Sequence, residues 1–204
     1  MHEGIVKYAG KQTDPVKALI LLHGRGGDAD DILSLAEDLD VKDYLLAAPQ
    51  ATGNSWYPNS FLASPSLNEP WLSSALELVH RTVLEIQNRG IASAYIYFTG
   101  FSQGACLTLE YVTRRAKLYG GVAAFTGGLT GDKIYAENYS GDFLGTPVFI
   151  GSSDPDPHVP VSRVHASAAI LEKMNARVTE KIYAQMGHTI IADEIELANK
   201  LIFK

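Results

Sequence analysis

Short apolar runs alternate with longer amphipathic ones along the whole chain. The segments "KALILLHG" (17–24), "YLLAAPQ" (44–50), "SAYIYFTG" (93–100), "GGVAAFTG" (120–127) and "TPVFIGS" (146–152) each hold a block of apolar residues ended by Gly, Pro or Ser. Blocks that short and that uniformly apolar predict strands covered on both faces, as in a parallel sheet. Between them the period changes. Leu72, Leu76, Val79, Val83 and Ile86 recur every three or four positions, which predicts one apolar helical stripe over 72–88. Segment 162–174, with Ser162 as a candidate cap, places Ala166, Ala169, Ile170 and Met174 on one face. A last helix is predicted over 190–203 through Ile191, Ile195, Ala198 and Ile202. "ARVTEKIYA" (176–184) alternates more weakly and carries charges, the pattern of an edge strand. Strand and helix in this order predict an α/β, doubly wound, mostly parallel twisted sheet with helices on both faces, as one domain over 1–204.

Composition leaves that picture intact and narrows the chemistry. Hydrophobic content of 46% and charged content of 20% are ordinary globular values, enough for a core on both sides of a sheet. A net charge of −6 argues against a nucleic-acid partner, because phosphate binding needs a dense Lys/Arg surface. The lone cysteine, Cys106, excludes an intrachain disulfide framework and a multi-cysteine zinc site, and fits a reducing compartment. The start, "MHEGIVKYAG", lacks the apolar stretch of a signal peptide, and no segment approaches a membrane span, so a cytoplasmic protein is expected.

In doubly wound sheets ligands collect beyond the carboxyl ends of the strands, so the loops after the apolar runs carry the interest. "FTGFSQGACLTLEYV" contains Gly100-Phe101-Ser102-Gln103-Gly104, a G-x-S-x-G sequence directly after a predicted strand and opening a helix. Glycines two before and two after the serine allow strand and helix to approach without Cβ clashes, while the sharp turn pushes the hydroxyl outward. Ser102 is therefore the candidate nucleophile, beside a helix N-terminus that favours developing negative charge. Cys106 falls inside that helix and reads as core packing.

A serine hydroxyl needs a base, and the base needs an orienting group. Of the six histidines, His2 is terminal, while His80 and His165 fall within helical segments; all three read as structural or solvated. His23 ends the first buried strand and is placed to brace the glycine loop behind it. His188 follows the last strand in "AQMGHTII", with Gly187 granting freedom, and it lies C-terminal to the serine and to two aspartates, Asp154 and Asp156. Order Ser, Asp, His is the α/β-hydrolase order, so His188 is the candidate base. For the oxyanion, the backbone N–H of Gln103 is one expected donor. The amide of Arg25 in "LLHGRGGDADDI" is the other, with Asp28 or Asp30 capping the next helix. That glycine loop lacks both the G-K-[ST] ending of a P-loop and the G-x-G-x-x-G spacing of a dinucleotide site.

Taken together, "LLHGRGGD", "SWYP", "GFSQGA", "DPHVP" and "GH" make the chain resemble the carboxylesterase/phospholipase family that includes the acyl-protein thioesterases, within the α/β-hydrolase fold. The resemblance implies a Ser-His-Asp esterase with neither metal nor cofactor, acting on carboxylic esters or thioesters, with oxyanion donors at Arg25 and Gln103. Family members show H-G-x-G-D, so Arg25, at a position commonly leucine, and the additional glycine are departures. The family's D-P-x-V-P matches from Asp156, and its D-x-D-P matches Asp154 to Pro157. Asp156 is then the orienting carboxylate, Asp154 a turn-former accepting backbone N–H bonds, and His158 a rim residue. Family members often dimerise, which makes a homodimer an expected state.

The loop 49–71 is turn-rich and aromatic, and overhangs Ser102 in the expected topology. Trp56, Tyr57 and Phe61 are the candidate substrate-binding residues, Trp56 foremost, with Trp71 weaker. The segment between Gly127 and Thr146 is too short for a cap domain, so a shallow site for small esters is expected. A thioesterase or lysophospholipase using the same residues is the alternative. More distant are a non-catalytic binding protein on a hydrolase scaffold and a metal-dependent hydrolase using Asp154, Asp156 and His158.

Overall fold

The computed structural model describes residues 1–203. Its strands are β1 (Val6–Gly10), β2 (Ala18–Leu22), β3 (Leu45–Pro49), β4 (Ile96–Phe101), β5 (Gly121–Phe125), β6 (Pro147–Asp154) and β7 (Arg177–Ala184). Its helices are α1 (Ala29–Ser34), α2 (Pro65–Asn68), α3 (Trp71–Asn88), α4 (Gln103–Arg114), α5 (Val161–Lys173) and α6 (Ala192–Leu201). The strands form one sheet in the order β1-β3-β2-β4-β5-β6-β7. β1 runs antiparallel to β3, pairing Val6 with Pro49, and the remaining neighbours are parallel.

The apolar runs are unbroken because both faces are covered. Along β2, Ala18, Ile20 and Leu22 pack with Leu72 and Val79 of α3, Leu109 of α4 and Leu171 of α5. Leu19 and Leu21 point the other way, toward Ile32 of α1 and Ala198 at the end of α6. Every residue of β2 is fully buried, so alternation in space leaves no alternation in the sequence. β7 is an edge strand, as its pattern predicts, with Arg177 and Lys181 exposed and Glu180 half-buried.

Two elements differ from expectation. β1 escaped the pattern because its five residues, "VKYAG", are half-exposed at the sheet edge and hold no apolar block. α5 begins at Val161, one residue before Ser162, so the serine lies inside the first turn and makes no cap bond; Pro160 precedes the helix instead. Its fixed φ suits that entry. The segment between β5 and β6 carries one short 3-10 turn, Ala136–Asn138, and among the described residues no inserted domain.

The loops at the carboxyl ends of β2, β3, β4, β6 and β7 carry the candidate site residues singled out above.

Candidate active site

Ser102 sits between β4 and α4 with φ 54° and ψ −118°, a conformation that strains a residue bearing a Cβ. The glycines around it make the turn sterically open. A Cβ on Gly104 would stand 2.0 Å from the Leu22 carbonyl oxygen, and one on Gly100 would stand 2.5 Å from the backbone carbon of Gly104. The turn is pinned by the Ser102 N–H donating to the Phe125 carbonyl at 3.0 Å and by the Cys106 N–H donating to the Ser102 carbonyl at 3.0 Å. The hydroxyl is thereby presented at the mouth of α4.

His188 meets it from the loop after β7. Its Nε2 lies 2.8 Å from Ser102 Oγ, and its Nδ1 lies 2.9 Å from Asp156 Oδ2. Asp156 Oδ1 accepts the N–H groups of His158 and Val159, each at 2.8 Å. Burial works against the charged carboxylate, yet the bonds from His158, His188 and Val159 outweigh it and hold the group below the usual carboxylate range. An ionised carboxylate at Nδ1 fixes the tautomer that leaves Nε2 free to accept the serine proton.

Asp154 has the opposite surroundings. It is exposed, still paired in register with Ala184 of β7, and its carboxylate accepts no backbone N–H among the described residues. The turn-forming role expected of it belongs to Asp156, which orients the histidine and closes its own loop. Asp154 contributes only its carbonyl, which accepts the Gln185 N–H at 2.9 Å and ties the β6 and β7 loops together. With Asp156 engaged in this way, Asp154, Asp156 and His158 do not form a ligand set, and no such group of three occurs among the described residues.

Sequence reasoning missed three supports of His188. Ser153 Oγ accepts the Gly187 N–H at 3.0 Å, Phe101 lies ring to ring with His188 at 5.2 Å, and His158 stands edge-on at 4.9 Å. Position before Ser102 signals Phe101 only as a neighbour, and His158 is expected at the rim without a contact to His188; nothing signals Ser153.

Arg25 and Gln103 line the same cavity as Ser102, and neither backbone N–H has a hydrogen-bond partner among the described residues. His23 braces their loop as its position predicts. Its Nδ1 contacts the Gly24 carbonyl at 2.8 Å and its Nε2 accepts the Ala51 N–H at 3.1 Å. Accepting at Nε2 requires the neutral ring, which burial favours by lowering its pKa. Asp28 caps α1, its side chain accepting from Asp30 and Asp31 while Asp31 reciprocates.

Trp56 corrects the expectation for the aromatic loop. It is fully buried, donates from Nε1 to the His23 carbonyl at 2.8 Å and stacks on the His23 ring at 4.9 Å. It supports the glycine loop from behind and does not line the cavity over Ser102. Tyr57 and Phe61 do line it, with Leu62, Val159 and His158. The cavity measures about 610 Å³, more than the shallow site expected and within the range of sites that enclose small molecules. Cys106 also reaches its wall, but burial pushes the thiol up to about 12, which keeps it protonated and unreactive.

A chain with this order of site residues on this sheet invites comparison with known hydrolases, and the Phospholipase/Carboxylesterase family profile matches residues 4–204. The chain belongs to that family. It is 30% identical to acyl-protein thioesterase 1 of Saccharomyces cerevisiae over 94% of its own length and 93% of the yeast protein's. It is 26% identical to the probable carboxylesterase SOBER1-like of Arabidopsis thaliana, covering 87% of this chain and 74% of that one. The crystal structure of a phospholipase/carboxylesterase from Dyadobacter fermentans superposes with a TM-score of 0.99 at 53% identity, covering 100% of this chain and 98% of the other. Membership makes the protein a hydrolase of α/β-hydrolase fold. No described helix is long and apolar enough to cross a membrane.

Proposed function

We propose that this family member is a serine carboxylesterase in which Ser102, His188 and Asp156 act as a triad. The observation that carries the reading is the continuous hydrogen-bonded line from Asp156 Oδ2 through both ring nitrogens of His188 to Ser102 Oγ. In the acylation step Ser102 Oγ bonds to the ester carbonyl carbon as its proton passes to His188 Nε2. The carbonyl oxygen becomes an oxyanion between the amides of Arg25 and Gln103, whose N–H groups are otherwise unused. Asp156 stabilises the imidazolium without taking its proton. Collapse of the intermediate breaks the bond to the leaving alcohol, which takes the proton from His188. Water, deprotonated by His188, then attacks the acyl-enzyme and releases the acid.

Thioester hydrolysis by the same residues is the second reading. It is favoured by the yeast relative, which is named a thioesterase, and by a cavity larger than a small acyl ester needs. A cytoplasmic setting is part of the proposal, supported by the single unpaired thiol of Cys106.

The test is hydrolysis of p-nitrophenyl esters and acyl thioesters by the wild type and by Ser102→Ala. Turnover of either class that vanishes in the variant supports the reading, and undiminished turnover in Ser102→Ala rejects it.

A further inference from the structure

The Arg25 side chain reaches into segment 55–59. Nη1 donates to Ser55 Oγ at 3.0 Å and to the Pro58 carbonyl at 3.0 Å. Nη2 donates to the Tyr57 carbonyl at 2.9 Å and to the Asn59 carbonyl at 2.7 Å. Gln103, the other proposed oxyanion donor, reaches into the same loop: its Nε2 donates to the Tyr57 carbonyl at 2.9 Å, and its Oε1 accepts the Trp56 N–H at 2.9 Å. Among the described residues no carboxylate pairs with Arg25.

We propose that the Arg25 guanidinium is a specificity-determining latch that fixes segment 55–59 as one wall of the acyl cavity and suits that cavity to apolar acyl chains. Three successive carbonyl oxygens, those of Tyr57, Pro58 and Asn59, converge on one side chain at the cavity rim. With Ser55 Oγ the guanidinium meets four acceptors, which its two terminal amino groups serve with four N–H donors in a fixed plane; lysine has three, on a single nitrogen. With those oxygens occupied, the wall continues into Phe61 and Leu62, and Val159 lines the same cavity. An aliphatic residue at 25 would leave the Pro58 and Asn59 oxygens to water while Tyr57 keeps its bond from Gln103, and a wetted, looser rim accepts an apolar chain less readily. Because both latching residues also supply the proposed oxyanion amides, the wall and the oxyanion site are held in one frame. Arg25 acts on specificity through this loop and is a positioning residue through its side chain.

The specificity half of this proposal rests on the esterase reading; the latch itself does not. The experiment compares wild type, Arg25→Leu and Arg25→Lys by amide hydrogen exchange and by hydrolysis of p-nitrophenyl acetate and hexanoate. In Arg25→Leu the Trp56 and Asn59 amides are expected to exchange about tenfold faster while β2 keeps its protection. The ratio of kcat/KM for hexanoate to that for acetate is expected to fall about fivefold, mostly through KM for hexanoate. Arg25→Lys, which keeps the charge and loses the fork, is expected to fall between the two. Unchanged exchange in folded Arg25→Leu overturns the latch whatever the activity. A loosened loop with an unchanged ratio, or full restoration by lysine, overturns the specificity role. Should Arg25→Leu fail to fold, Ser55→Ala removes one acceptor and is expected to move both readouts the same way by less; movement in neither overturns the proposal. Wild-type protein that hydrolysed no ester or thioester would reject the proposed function and the specificity half with it, while exchange would still decide the latch.

Discussion

The Leu22 carbonyl oxygen stands 2.0 Å from the point that a Cβ on Gly104 would occupy. The start of α4 therefore lies directly against the end of β2, and that contact aims Ser102 out of the sheet. Backbone cannot give way as a flexible side chain can. Gly104→Ala is expected to cost about 3 kcal/mol or more in urea unfolding, at the upper end of overpacking effects, and to abolish ester turnover. A variant with wild-type stability and turnover would contradict this account of the turn.

The two aspartates of the β6 loop should separate sharply. Asp156→Asn is expected to lower kcat by about 10³- to 10⁴-fold, because the amide leaves His188 in the wrong tautomer. Asp154→Asn should stay within about twofold of wild type, since its exposed carboxylate orients nothing. Steady-state kinetics on one ester checks both, and the reverse ranking would contradict the assignment.

That pair also shows how far the sequence could be read. The strand and helix periods, the G-x-S-x-G turn and the Ser, Asp, His order located Ser102 and His188, because each has a local steric signature. The choice of Asp156 came from resemblance, since no period or spacing tells which carboxylate of "DPDP" faces the histidine. One role within that loop differs from expectation: the turn expected of Asp154 is made by Asp156, and Asp154 is still part of β6. Trp56 was misread because an aromatic residue in a loop looks the same whether it lines a cavity or backs a neighbouring segment. Ser153 carries no signal at all, since its partner, the Gly187 N–H, lies on another strand's loop.

Glu194 supplies a test by pH. It is fully buried on α6, with Oε2 accepting the Ile191 N–H at 3.1 Å and Oε1 without a partner among the described residues, and burial pushes its carboxyl from 4.5 up to about 7. Between those values the folded protein holds a proton that the unfolded chain has released. Stability from this group is therefore full below about pH 4.5 and is lost as pH rises toward 7. Asp156, whose carboxyl is depressed, acts in the opposite sense and only in acid. Glu194→Gln should gain in thermal midpoint over wild type at pH 8 by several degrees, roughly what 1 kcal/mol produces, and lose that advantage by pH 4.5. Parallel melting curves across this range would contradict the assignment.

Cys106 gives a chemical test. With the thiol pushed up to about 12 by burial, native protein at pH 8 should resist iodoacetamide, and the same protein in urea should gain one carbamidomethyl group. Intact mass before and after unfolding reads this directly. Rapid alkylation of the folded chain would show that the thiol is neither buried nor protonated as described.

The most direct test of the central claim is the reaction of the intact protein with a fluorophosphonate, followed by mass spectrometry of its peptides. If His188 and Asp156 activate Ser102, one phosphonyl group forms on Ser102, fluoride leaves, and ester turnover falls in proportion to the fraction labelled. Turnover that persists in protein fully labelled at Ser102, or a label carried by another residue while Ser102 stays free, would contradict it.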